Sequence, residues 1–122
     1  MFKISVTTHF AAAHNLRGYE GPCEKLHGHN WSIKATVGTD RLDSIGMAYD
    51  FKKLKSHLKE IVERLDHQFI NEVTPFDQLN PTSENIARYI FESLAIKLPA
   101  TVSVISVEVG ESERNVASYE AT

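Results

Sequence analysis

The period of the apolar positions changes along the chain, and each change marks an element. Residues 2–13 are rich in β-formers: Phe2, Ile4, Val6, Thr7, Thr8 and Phe10 lead into Ala11-Ala12-Ala13. They predict a first strand with His14 at its end. The run from Asn15 to Pro22 is rich in turn formers and predicts a loop. Beyond it Trp31, Ile33, Ala35 and Val37 alternate with Asn30, Ser32, Lys34, Thr36 and Gly38. That period of two predicts a half-buried second strand reaching about Gly38. Thr39 to Met47 is polar, with Gly46 a turn residue, and reads as a connection.

The period then lengthens. After Asp50, a good N-cap, Phe51, Leu54, Leu58, Ile61, Val62 and Leu65 fall at spacings of three and four and predict one helical stripe. Lysines, glutamates and Arg64 occupy the opposite, solvated face, and His57 falls with them as an exposed residue. After a loop from Asn71 to Asn80, Pro81-Thr82-Ser83 opens a second helix, with Thr82 or Ser83 as N-cap. Its stripe is Ile86, Ala87, Ile90, Phe91 and Leu94, and Pro99 stops it. Thr101 to Val109 is again β-rich, Gly110 to Asn115 predicts a hairpin loop, and Val116 to Ala121 a short last strand. The order ββααββ predicts an α+β fold: an antiparallel four-stranded sheet with both helices on one face. Its two outer strands would be unprotected edges, open to pairing with further copies.

Composition narrows the class of function. A chain of 122 residues, 42% hydrophobic and 24% charged, fits a single domain over residues 1–122. A net charge of -3 gives no basic excess for nucleic acid. No apolar run approaches the roughly 20 residues of a membrane span. The N-terminus enters a strand pattern at once, leaving no room for a signal peptide, and the one cysteine cannot form an internal disulfide. A cytoplasmic location is the expectation.

Candidate chemistry gathers in Cys23-Glu24-Lys25-Leu26-His27-Gly28-His29. If the second strand already runs through His27 and His29, both imidazoles share the face that carries Trp31 and Ile33. Pairing of the first two strands brings His14 beside them. Three histidines with a fourth position open describe a catalytic zinc site rather than a structural one. Cys23 then has two readings, fourth ligand or catalytic group. His9 is out of phase with His14 and reads as structural. Asp66-His67 is either an acid/base pair or a helix C-cap. Glu108 interrupts an apolar strand, on one face with Val102, Val104 and Ser106; it either meets a ligand bearing hydrogen-bond donors or faces solvent.

These residues resemble the family of 6-pyruvoyltetrahydropterin and 6-carboxytetrahydropterin synthases. The likeness is carried in order by Phe10 to His14, Cys23 to His29, Gly46 to Phe51, Leu65-Asp66-His67, Asn80 to Asn85, and Glu108. It implies the tunnelling fold (T-fold), whose ββααββ subunits join edge to edge into trimers, with two trimers stacked as a hexamer. It implies zinc on His14, His27 and His29. Cys23 would be the catalytic thiol, working with Asp66 and His67 supplied by a neighbouring subunit. Glu108 would anchor a pterin ring, helped by Thr82 and Ser83. The spacing Cys-x-x-x-His-x-His resembles the bacterial 6-carboxytetrahydropterin branch. That branch converts 7,8-dihydroneopterin triphosphate to 6-carboxy-5,6,7,8-tetrahydropterin, acetaldehyde and triphosphate, on the way to queuosine. Two features differ from the family pattern: Glu24 directly follows Cys23, and Val109 follows Glu108 where a threonine is common. The first admits side-chain cleavage to 6-hydroxymethyldihydropterin as an alternative, beside the pyruvoyl-forming reaction. A non-catalytic zinc- or pterin-binding module is the alternative of another class.

Overall fold

The computed structural model describes residues 1–18 and 25–122. The readings of Cys23 and Glu24 therefore lie outside the described residues. The elements are β1 (Phe2–His14), β2 (His27–Thr39), α1 (Phe51–Glu63), a short 3-10 turn (Ile70–Glu72), α2 (Ser83–Ala95), β3 (Ser103–Gly110) and β4 (Val116–Glu120). They form a four-stranded antiparallel sheet in the order β1-β2-β3-β4. The ββααββ order and the α+β class are those predicted, and both helices lie on one face of the sheet.

That face carries the core. On β2 it presents Trp31, Ile33, Ala35 and Val37, all at most 2% exposed. Facing them on β1 are Val6, Phe10 and Ala12, with Phe10 opposite Trp31. The helices close over them with Leu54, Leu58, Ile61 and Val62 from α1 and Ile86, Ala87, Ile90 and Leu94 from α2. Asp50 caps α1 by accepting from Lys52 N at 2.8 Å, and Thr82 caps α2 by accepting from Asn85 N at 3.1 Å. Both caps sit where the sequence places them.

Three expectations are corrected. Phe51 belongs to the helical stripe by spacing, yet it is 53% exposed. It is the first residue of α1, and a helical side chain leans toward the N-terminus, so Phe51 projects past the core. His57 is half-buried rather than exposed: it stacks on Tyr49, and its Nε2 lies 2.9 Å from the Tyr49 hydroxyl. Burial is also the main reason the Tyr49 hydroxyl titrates above its usual range.

The third correction concerns β3. Its register against β2 shifts between Thr36 and Val37, which oppose Ser106 and Val104. Ile105 is the extra residue of a β-bulge. The bulge reverses the phase of the strand, so Val104 and Val107 are both buried in the core although three positions apart. Glu108 consequently does not share a face with Val102 and Val104. It pairs with Lys34 on β2 and Ser118 on β4, on the sheet face turned away from the helices.

The outer edge of β1 is partly covered. After α1 the chain doubles back along it: Ala13 N donates to Gln68 O at 3.0 Å, and Ala13 bridges Phe69 in parallel. Among the described residues no helix is long and apolar enough to cross a membrane.

Candidate functional site

The site lies on the helix-bearing face at the end of the sheet, beyond the core. His14, the last residue of β1, stands directly opposite His27, the first of β2. Two residues on, His29 opposes Ala12 on the same face. Trp31 closes the apolar floor beneath them, edge-on to His14 at 4.7 Å and to His29 at 5.4 Å between ring centroids. Its indole N–H donates to Ala12 O at 3.2 Å, so it is fixed and leaves no unpaired donor in the floor.

Two backbone carbonyls fix which nitrogens of the His14 and His27 rings point inward. His14 Nδ1 lies 2.7 Å from Pro81 O, and His27 Nδ1 lies 2.7 Å from Lys25 O. A carbonyl only accepts, so both Nδ1 atoms carry the proton and both Nε2 atoms expose a lone pair. These two Nε2 atoms are 3.0 Å apart. Glu111, immediately after β3, adds its carboxylate, with Oε2 at 3.2 Å from His29 Nε2 and Oε1 at 3.5 Å from His14 Nε2. The His29 contact is close without hydrogen-bond geometry, and His29 Nε2 is a buried nitrogen with no hydrogen-bond partner. Ligand atoms of His14, His27, His29 and Glu111 all lie within 4.8 Å of one another.

A convergence of acceptors of this kind is suited to a cation between them. Burial is the chief cause that holds the imidazoles of both His14 and His29 below their usual pKa, although the Pro81 carbonyl acts the other way on His14 and Glu111 does so on His29. Neutral imidazole is the form that ligates metal. The donor set, nitrogen-rich with one carboxylate and each of two imidazoles oriented by a backbone carbonyl, fits a divalent ion such as zinc.

Other predicted residues fall around this centre. Thr82 caps α2, and its neighbour Pro81 holds His14. Ser83 lines an open cleft of about 540 Å³ together with Glu111, Arg114 and Asn115. Asp66 and His67 stand at the outer edge of β1. The Asp66 carboxylate accepts from Ala11 N at 3.0 Å and lies 3.0 Å from His67 Nδ1. The Ala11 hydrogen bond is the first cause holding this carboxyl below its usual range. His67 has a left-handed backbone, with φ 58°, and an imidazole 80% exposed. A helix C-cap is not its role, because α1 ends at Glu63 with Arg64 as cap. His67 and His29 both line a second cleft of about 590 Å³ beside Ala13 and Gly28. His9 is exposed on the other sheet face, 3.6 Å from Glu113.

Glu108 is not brought to the histidines; Glu111 is. Glu111 is not singled out by the sequence because residues 110–115 read as a hairpin loop. Its signal is the phase of Val107 and Val109, which continues to position 111 on the core face. Glu111 is also followed by a hydroxyl residue, Ser112, an order that Glu108-Val109 lacks. Two further residues missed are Asn71 and Asn80. Asn80 accepts from Arg17 N at 3.0 Å and donates to Arg17 O at 2.8 Å, and Asn71 makes the same pair with Asn15 at 3.0 Å each. They hold the start of the loop after β1 in place.

An α+β sheet with a histidine-rich metal centre at one end is the class of protein defined so far. Comparison with known proteins makes it specific: residues 3–122 match the model of the 6-pyruvoyl tetrahydropterin synthase family, and the chain belongs to that family of enzymes. It is 39% identical to a 6-carboxy-5,6,7,8-tetrahydropterin synthase of Synechocystis sp., covering 90% of this chain and 86% of that one. It is 33% identical to a 6-carboxy-5,6,7,8-tetrahydropterin synthase of Haemophilus influenzae, over 98% and 99% of the two chains. The solved structure of Caenorhabditis elegans 6-pyruvoyl tetrahydropterin synthase superposes with a TM-score of 0.86 at 28% identity, covering 99% of this chain and 96% of that one. The T-fold expectation holds.

Proposed function

We propose that the protein is a zinc-dependent 6-carboxy-5,6,7,8-tetrahydropterin synthase. It would convert 7,8-dihydroneopterin triphosphate to 6-carboxytetrahydropterin, acetaldehyde and triphosphate, in the direction of queuosine. The observation that carries this reading is the convergence of three imidazole nitrogens and a carboxylate. It occurs in a chain whose relatives at 39% and 33% identity bear that enzyme's name. His14, His27 and His29 hold the metal. When bound, zinc supplies Lewis acidity toward a side-chain hydroxyl, as it brings the pKa of bound water down to about 7.

The chain's own residues do the rest. Trp31 and the Pro81 and Lys25 carbonyls fix the imidazole orientations. Asp66 holds the His67 ring through Nδ1 and leaves Nε2 free to take or give a proton. This pair serves the site of a neighbouring subunit, as the free sheet edges and the family assembly suggest. Cys23 is the catalytic thiol of this reading, acting as base or acid. The pterin-anchoring carboxylate is Glu111 rather than Glu108, with Ser83 at the same cleft. A cytoplasmic location agrees with the small soluble substrate.

Chromatography of the products from dihydroneopterin triphosphate tests the reading. Wild type should give 6-carboxytetrahydropterin, Cys23→Ala should lose turnover while keeping metal, and Glu24→Gln should change the rate little. Hydroxymethylpterin that survives Cys23→Ala and vanishes in Glu24→Gln would overturn it. The likeness to the Caenorhabditis elegans enzyme favours the pyruvoyl-forming reaction as second reading, and 6-pyruvoyltetrahydropterin as main product would select it.

A further inference from the structure

We infer that Glu111 is a displaceable fourth metal ligand. Without substrate its carboxylate closes the coordination sphere that the three histidines leave open, and it swings out when a substrate hydroxyl enters. This deepens the metal reading above and rests on it.

The distances carry the inference. Nitrogen and oxygen ligands about 2.0–2.2 Å from a tetrahedral ion must lie roughly 3.3–3.6 Å from one another. Glu111 Oε2 is 3.2 Å from His29 Nε2, and Glu111 Oε1 is 3.5 Å from His14 Nε2. Glu111 thus offers each of these two imidazoles a carboxylate oxygen near the separation of neighbouring ligands, and His14 and His27, 3.0 Å apart by Nε2, stand slightly closer than that. The His29 contact lacks hydrogen-bond geometry, so no hydrogen bond from Nε2 accounts for the approach of the carboxylate. The mount is firm. Gly110 is buried, and a Cβ there would run into the Ser112 and Asn115 carbonyl oxygens, so the backbone that carries Glu111 is packed against its own hairpin. The side chain itself is 33% exposed and borders the cleft lined by Ser83, Glu84, Arg114 and Asn115, which gives the carboxylate room to leave.

The chemical consequence is a resting state. A metal with four protein ligands has no site for a hydroxyl, and an anionic ligand lowers its Lewis acidity; a three-histidine centre has both. Once displaced, the same carboxylate is free to accept hydrogen bonds from the bound pterin ring. Glu111 would therefore couple pterin binding to opening of the metal.

Cobalt(II) and thiocyanate are the probes. The full-length protein is stripped with chelator and reloaded with cobalt, and its visible spectrum is followed as thiocyanate is added. Glu111→Gln and Glu111→Ala are compared, with circular dichroism checking that each is folded. Wild type should bind one cobalt and respond weakly to thiocyanate. Both variants should show an altered cobalt spectrum and bind thiocyanate roughly tenfold more tightly or better. Identical spectra and identical thiocyanate affinity in all three, with cobalt still bound, would overturn the inference and leave the metal reading standing. A sulfur-to-cobalt charge-transfer band in wild type would overturn it in favour of Cys23. Failure of wild type to take up cobalt would instead remove the metal reading and the inference together.

Discussion

At the scale of single residues, function depends on which nitrogen of each imidazole faces inward. The sequence indicates that His27 and His29 share a strand face and that a hairpin brings His14 to them. It does not show that Pro81 and Lys25 carbonyls hold two of the rings by Nδ1, because those contacts depend on where α2 begins and how the loop returns. Nor does it show that His57 is drawn in against Tyr49. The lowered pKa of His14 and His29 has a consequence for stability. Folded, these groups bind fewer protons than in the unfolded chain, where they titrate near 6.5. Stability of the metal-free protein therefore rises with pH up to that range and levels off above it. Chelator-treated protein should have a lower denaturation midpoint at about pH 5.5 than at about pH 7.5, and His14→Gln should reduce that difference. An unchanged difference would show that His14 is not held neutral by the fold.

At the scale of elements, the strands and both helices were legible because their apolar periods are clean and their caps are strong. The bulge at Ile105 was not. A run such as Val102, Val104, Ile105, Val107, Val109 is apolar in either phase, so the reversal leaves no mark in the sequence. It is nonetheless what turns Glu108 outward and carries the phase of Val107 and Val109 to Glu111. The β3–β4 connection should be correspondingly intolerant. Gly110→Ala forces a Cβ against two carbonyl oxygens of the hairpin and should destabilise by about 1–3 kcal/mol by denaturant unfolding. It should also weaken metal binding by displacing Glu111, whereas a variant of wild-type stability and metal affinity would contradict the tight packing. The paired amide contacts of Asn80 to Arg17 explain why the segment from Asn80 to Asn85 carries more than the helix start: it anchors β1's exit while Pro81 orients His14.

At the scale of the whole molecule, the sheet ends in β4 on one side and in β1 on the other, and the return segment at Gln68 and Phe69 covers only the end of β1. Asp66 and His67 lie along that same edge, where an adjoining subunit would meet them. Trimers, paired as hexamers, are the expected state. A stable monomer of 13.7 kDa by light scattering at micromolar concentration would contradict this. The family assembly could be expected from the sequence because the resemblance ran nearly the whole chain, but no periodicity in a single chain encodes it. Everything proposed for catalysis rests on the three histidines holding a metal, and metal analysis of the purified assembly tests that most directly. One zinc per chain is predicted for wild type, with loss of zinc and near-native helix content in each of His14→Ala, His27→Ala and His29→Ala. Full zinc retention in His29→Ala would contradict the three-histidine centre.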